Sequence, residues 1–344
     1  MEDRYKVTII VPVYNVQDYV VDCLDSIVQQ TYTESIECIL IDDSGNDNSV
    51  QIINEYLSKY NGPINFVFLH HEKNKGLSAA RNTGIKHANG EYVIFLDSDD
   101  KLYSNSIQSL LDVANKFPEA ELIQGSTYPQ FLLSKNIQPE YSNDVEWIRS
   151  GFCTSATIPV PAWNKLVKAQ IIRDNNIYFK EGFLQEDNIW AYQLQKHITK
   201  IAFCFDTTYW YRYNPAGIMH GASNEKEAKS FARVFNYVFD EIKQSDRIES
   251  YEIRFLEIIA EDVLRRMGAD GIQLLVINKN KVFLKLLKIS WIKFICFKSR
   301  FMQKAYSKSL RIIFQKRDIK LRKQLCKKEI LLSNFTPIDY SKKV

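Results

Sequence analysis

The sequence predicts an α/β fold, a mainly parallel sheet flanked by helices. Two patterns carry this: short β-branched apolar runs alternate with helix-spaced segments over the first 125 residues, and polar clusters stand just after the runs. A third observation, a basic and helix-like stretch from residue 225 onward, predicts a helical C-terminal region.

Residues 7–13 form a continuous β-branched run, the mark of a strand buried on both faces. Residues 18–30 then show helical spacing through Val21, Leu24, Ile27 and Val28. The alternation continues with strands at 36–41, 64–69, 92–96 and 121–124, and helices at 48–60, 77–88 and 104–117. Strands joined by helices imply right-handed crossovers, and ligands in such sheets sit beyond the carboxyl ends of the strands. The residues to inspect are therefore Pro12, Tyr14 and Asn15, then Asp42 and Asp43, the stretch 70–74 ending in Asn74, and 97–100. Residues 130–224 are mixed, and 225–270 read as two amphipathic helices. The division drawn is 1–224, with a donor-binding half to about 125 and an acceptor half to 224, then 225–344.

The chain has 344 residues, 45% of them apolar and 25% charged, enough for a large domain and an appendage. Six scattered cysteines with no paired spacing argue for reduced thiols and against a zinc site. Residues 1–13 are too short and strand-like for a signal peptide, and no uncharged run approaches a membrane span, so a cytoplasmic protein is expected. The net charge of +4 hides an asymmetry: residues 272–344 hold 19 Lys+Arg against three acids. Lys281, Lys285 and Lys288 line one stripe near Leu284, Leu287, Trp291, Phe294 and Ile295, which suits an anionic membrane surface through 272–330. Packing on the acidic remainder, or an oligomer contact, explains the same pattern equally well. No nucleic-acid reader motif accompanies it.

The sharpest chemical signal is Asp97-Ser98-Asp99-Asp100 at the end of an apolar strand. Clustered carboxylates repel each other, and a hard divalent cation such as Mn²⁺ or Mg²⁺ relieves the repulsion. A solvated acidic turn is the plain alternative. Upstream, Ala79, Ala80 and Gly84 let a helix lie close to the sheet, and Arg81 suits either a phosphate or the aspartates.

Residues 7–15 (VTIIVPVYN), 39–49 (ILIDDSGNDNS) and 74–100 (NKGLSAARNTGIKHANGEYVIFLDSDD) closely resemble family 2 glycosyltransferases of GT-A fold, a Rossmann-related architecture. The resemblance implies that Asp43 reads the uracil of a UDP-sugar, that Asp97 meets the ribose or sugar, and that Asp99 holds the metal. With them, Pro12, Tyr14, Asn15, Asn74, Arg81 and Ser98 would line the nucleotide-sugar site. One departure is Asp42-Asp43-Ser44-Gly45, where the family more often has Asp-Asp-Gly-Ser. Further along, Trp163-Asn164-Lys165 resembles an acceptor-side element, and Glu186-Asp187 an element in which the aspartate is the catalytic base. Tyr211 and Arg212 resemble a strand at the acceptor, and His220 falls where some relatives place a metal or phosphate ligand. The implied activity is inverting sugar transfer from a nucleotide donor to a saccharide or lipid-linked acceptor, serving cell-surface polysaccharide synthesis. A nucleotidyltransferase would carry a glycine-rich loop where Pro12 to Asn15 stand, and a silent saccharide-binding relative would not need the intact acids.

Overall fold

The computed structural model describes residues 5–154, 156–215, 217, 223–277, 280, 281, 283–288, 317 and 319–332. Two compact units divide the chain, Met1–Gly217 and Ile218–Val344.

In the first unit, β1 (Tyr5–Val13), α1 (Val20–Val28), β2 (Ile36–Asp42), α2 (Ser49–Lys59), β3 (Asn65–His70), α3 (Leu77–His87) and β4 (Gly90–Phe95) follow the predicted alternation. β5 (Lys101–Leu102), α4 (Ser106–Lys116), β6 (Leu122–Tyr128), β7 (Tyr141–Ser142), α5 (Val145–Phe152), β8 (Lys165–Lys168), α6 (Ala169–Asp174), α7 (Glu186–His197) and β9 (Ile201–Trp210) complete it. Among the described residues the sheet runs β3-β2-β1-β4-β8-β6-β9-β5, with β7 also on β9.

β1, β2, β3 and β4 are mutually parallel. β8, in the region read from sequence as mixed, then enters antiparallel to both β4 and β6. Two reversals restore direction, so β6 and β9 again point the way β4 does. Their carboxyl ends therefore share the rim that carries Asp97.

β1 is buried almost throughout, and β2 is buried at every position, as strands covered on both faces must be. One apolar layer joins α1 and α4 to the sheet through Leu24, Ile27, Ile107 and Leu110. The opposite layer seats α3 and α7 through Ala80, Ile85, Trp190 and Leu194. α3 lies so close that a Cβ at Gly84 would stand 2.3 Å from Ile10 Cγ2 and 3.1 Å from Ile41 Cδ1.

The second unit holds α8 (Asn224–Gln244) and α9 (Ser250–Met267), the two helices expected there. Glu249 and Glu252 cap α9 reciprocally, each side chain accepting from the other's backbone N–H. Phe283, Leu286 and Leu287 are buried while Lys281, Lys285 and Lys288 are exposed. Leu287, read from sequence as an apolar neighbour of the lysine stripe, thus packs inward. Trp291, Phe294 and Ile295 lie outside the described residues. No described helix is long and apolar enough to cross a membrane.

Gly84→Ala is expected to destabilise the fold by about 1–3 kcal/mol, because the sheet must yield to the new methyl group. Urea unfolding should show a lower midpoint at unchanged slope.

Candidate active site

The carboxyl rim of the sheet gathers the acids that sequence reading singled out, and one arginine organises them. Arg81, on the buried face of α3, is 1% exposed. Its Nη2 donates to Asp97 Oδ1 at 2.8 Å, and its Nη1 donates to Asp187 Oδ1 at 2.9 Å and Glu186 Oε1 at 3.1 Å. Phe179 lies under the guanidinium at 5.0 Å and Phe95 at 6.0 Å, within cation–π range. The three carboxylates overcome burial and hold Arg81 firmly charged. Both terminal nitrogens of Arg81 thus engage these acids, the ion-pairing role anticipated for it.

The ion pairs bring the start of α7 against the end of β4. Burial, more than any neighbour, raises the carboxyl of Glu186, and adjacent Asp187 raises it further, while Arg81 opposes both. Asp187 is likewise raised, by burial first and by Asp97, against the pull of Arg81, Lys165 and the Ala162 amide. Asp187 keeps 23% of its side-chain surface open, compared with 9% for Glu186. The aspartate is thus the more accessible proton acceptor of the pair.

Beyond Asp97 the acids are held individually. Asn214 Nδ2 donates to Asp99 Oδ2 at 2.9 Å, and Arg212 Nε donates to the Asp99 carbonyl at 2.9 Å. Asp100 accepts from the Arg212 amide at 2.7 Å and from the Tyr209 hydroxyl at 2.7 Å. Tyr209 also accepts from the Asp97 amide at 3.2 Å. Burial, then repulsion from Asp97 and Asp99, pushes Asp100 up to about 8, and burial raises Asp99 as well. Arg212 reaches on to Asp22 at 2.5 Å.

Asp97 and Asp99 offer hard oxygen donors, the set that Mn²⁺ or Mg²⁺ shares with water and substrate phosphate. Among the described residues no three His, Cys, Asp or Glu side chains form a closed ligand set. Two carboxylates with open positions suit a cation that a bound diphosphate completes. His220 lies outside the described residues.

On the nucleotide side, Asp43 is buried and its oxygens are taken up. Oδ1 meets His71 Nδ1 at 2.6 Å and accepts the Lys75 amide at 2.9 Å, while Oδ2 accepts the Gly76 amide at 2.7 Å. Asp43 therefore shapes the loop into α3, where Gly76 adopts φ +90°. Pro12 and Ser98 are buried, while Tyr14, Asn15 and Asn74 are exposed. Asn15, at φ 52°, accepts the Asn46 amide at 2.7 Å and steadies the turn after β2. Ser44 stands there at φ 61°, the left-handed region where the family's more usual glycine is free of strain.

The acceptor-side expectations need correction at three residues. Trp163 is only 4% exposed, stacked on Tyr209 at 4.7 Å and in contact with Tyr211 at 5.7 Å, so its ring fills the core and not a sugar subsite. Asn164 and Lys165 are fully buried. Asn164 donates to Thr127 Oγ1 at 2.8 Å and accepts from Thr208 Oγ1 at 2.7 Å, pinning β6 to β9. Neither side chain presents itself to an acceptor. Tyr211 and Arg212 do lie on the same rim as the acids, Arg212 through its bonds to Asp99 and Asp100. The residues missed from sequence are Tyr209, which stands two positions before Tyr211 in β9, and Asn214, for which no motif gives a signal.

The carboxylate cluster, tied by Arg81 to the Glu186–Asp187 pair, thus stands at the carboxyl rim of the sheet, where α/β folds bind their ligands. Residues 8–162 match the model described as Glycosyl transferase family 2. The chain is 26% identical over 275 residues to "Glycosyltransferase GlyG" of Streptococcus pneumoniae, covering 74% of this chain and 87% of that protein. It is 29% identical over 262 residues to "Poly(ribitol-phosphate) beta-glucosyltransferase" of Bacillus spizizenii, covering 74% of this chain but 39% of that longer protein. Among solved structures, residues 1–349 of TarS from S. aureus, crystallised with UDP-GlcNAc, superpose with a TM-score of 0.60 at 18% identity, covering 97% of this chain and 94% of that one. That likeness establishes the GT-A fold.

Arg81→Met is expected to cost about 3–5 kcal/mol at neutral pH, since it leaves buried carboxylates without their counter-charge. Those carboxylates would then bind protons more tightly folded than unfolded. The loss should therefore grow as pH rises and shrink as pH falls. Urea unfolding at pH 5 and pH 8 measures the difference.

Proposed function

We propose that this glycosyltransferase moves one sugar, with inversion, from a UDP-sugar to a saccharide or lipid-linked saccharide acceptor in cell-surface polysaccharide synthesis. The observation that carries the reading is the Arg81 bridge, which fixes Asp187 beside the Asp97 end of the acid cluster. A base and a donor site held together are what a single displacement requires. The relative crystallised with UDP-GlcNAc supports a uridine donor, and the relatives named for poly(ribitol-phosphate) support a polymer acceptor.

In this reading Asp187 accepts the proton of the acceptor hydroxyl as its oxygen attacks the anomeric carbon, and the bond to the diphosphate breaks. One base and one displacement invert the anomeric centre, so no second carboxylate is needed as nucleophile. Tyr14, 46% exposed at the end of β1, offers a ring to the base, in a mouth whose neighbouring loop Asp43 holds in shape. Asp99, with Asp97 beside it and His220 as a further candidate ligand, would hold Mn²⁺ or Mg²⁺. When bound, that ion supplies Lewis-acid stabilisation of the charge that develops on the leaving diphosphate. The buried Arg81 orients Asp97 and Asp187 and favours the ionised form of Asp187. The exposed Lys281, Lys285 and Lys288 are compatible with an anionic membrane surface that carries a lipid-linked acceptor.

UDP release measured across a panel of UDP-sugars and acceptors, with added Mn²⁺ or Mg²⁺, tests the activity. Asp187→Asn should lower kcat by about 10²–10⁴-fold while UDP-sugar binding persists. Loss of binding would remove the base assignment. Because the base works ionised and burial raises its carboxyl, kcat should fall on the acid side at a pH above the ordinary carboxylate value of about 4. Asp99→Ala should abolish metal-dependent donor binding in calorimetry. Full activity of the wild type in chelator would refute the metal role.

A further inference from the structure

We propose that Lys165 is a positioning residue for the transfer reaction: from inside the protein it braces residues 159–162, and that segment in turn steadies the Asp187 carboxylate. The inference rests on Asp187 being the base. It starts from an anomaly. Lysine is almost never fully buried unless a carboxylate pairs with it, yet Lys165, at the start of β8, is 0% exposed and forms no ion pair among the described residues. Its Nζ donates instead to two backbone carbonyls, Pro159 O at 2.6 Å and Pro161 O at 2.5 Å. Burial carries a cost for such a charge, and it brings the ammonium down to about 7 against the opposing attraction of Asp187.

The segment it grips explains why the cost is borne. Residues 159 and 161 are prolines and lack backbone N–H groups, so they cannot be anchored by donating hydrogen bonds. An ammonium below them provides the missing donors. The next residue, Ala162, is fully buried, and its amide favours the ionised form of Asp187, as the Lys165 charge also does. Trp163 follows and bridges to Phe95, two residues before Asp97. The braced segment therefore runs between the base and the end of β4. The charged groups facing Asp187 are Arg81 from α3, Glu186 from its own helix, Asp97 beyond β4 and Lys165 from β8. Arg81 holds the carboxylate from one element, and the Lys165-braced segment acts on it from another.

The test compares the wild type with Lys165→Met, which keeps the bulk of the side chain and removes its donors, and with Pro161→Ala, which leaves Lys165 intact and loosens the segment. With a UDP-sugar and acceptor that the wild type turns over, Lys165→Met should lower kcat about 10- to 100-fold, the scale of a small misplacement of a reacting group. The KM for the donor and the affinity for UDP should stay within about twofold. The acid limb of kcat should move to higher pH, because Asp187 loses two influences that keep it ionised. Pro161→Ala should shift kcat and the limb in the same directions by less. A Lys165→Met enzyme that binds UDP and keeps the wild-type kcat and pH profile overturns the proposal, even if it melts at a lower temperature. If that variant does not fold, Pro161→Ala decides, and wild-type kinetics there overturn it equally. Failure of the wild type to use any UDP-sugar would instead count against the glycosyltransfer reading itself.

Discussion

The site depends on a single buried guanidinium. Arg81 comes from α3, Asp97 from the end of β4, and Glu186 and Asp187 from the first turn of α7. Three carboxylates in such an enclosure repel each other and favour taking up protons, and an arginine, which never loses its charge, opposes both. Planarity matters as much as charge. The guanidinium fork sends two N–H directions to different elements, so it fixes angles between them, which a lysine's single ammonium would not. The two aromatic faces of Phe95 and Phe179 keep the plane from turning.

Around that centre, buried polar groups are used to shape backbone. Asp43 gives its acceptor capacity to His71 and to two amides of the loop into α3. Asn164 locks β6 to β9, and Tyr209 joins β9 to Asp97 and Asp100. Asp43 and Asn164 lie in stretches that resemble the family's motifs, and all of these residues work here largely beneath the surface. Motif membership thus marks where the backbone must be exact, and exposure separates the groups free to meet a ligand from those that hold the frame.

The parallel half of the fold was legible because its signals are local. β1 to β4 and their helices lie within a residue or two of the spans expected from apolar spacing, and the closeness of α3 was readable from Ala80 and Gly84. The reversal at β8 was not legible, because a four-residue strand between prolines and a short helix has too few positions to show a period. In the site, the acids stood out as an unusual cluster after an apolar run. Their partners did not. Asn214 reaches Asp99 from 115 residues further along the chain, and Lys165, read as part of an acceptor-side element, carries no sign in the sequence of its burial. Long-range pairing and burial are properties of the folded state, and one sequence carries little trace of either.

The continuity of the sheet has a mechanical consequence. β4, β8 and β6 are hydrogen-bonded in sequence, so the strands of the nucleotide side and those of the acceptor side form one sheet. No hinge separates them, and rotation of one half against the other would break the ladder at its centre. The end of β4, which carries Asp97, is thereby tied through the ladder to β8 and β6. The rim acids thus stand on a floor whose strands are laced together without interruption from β3 to β9.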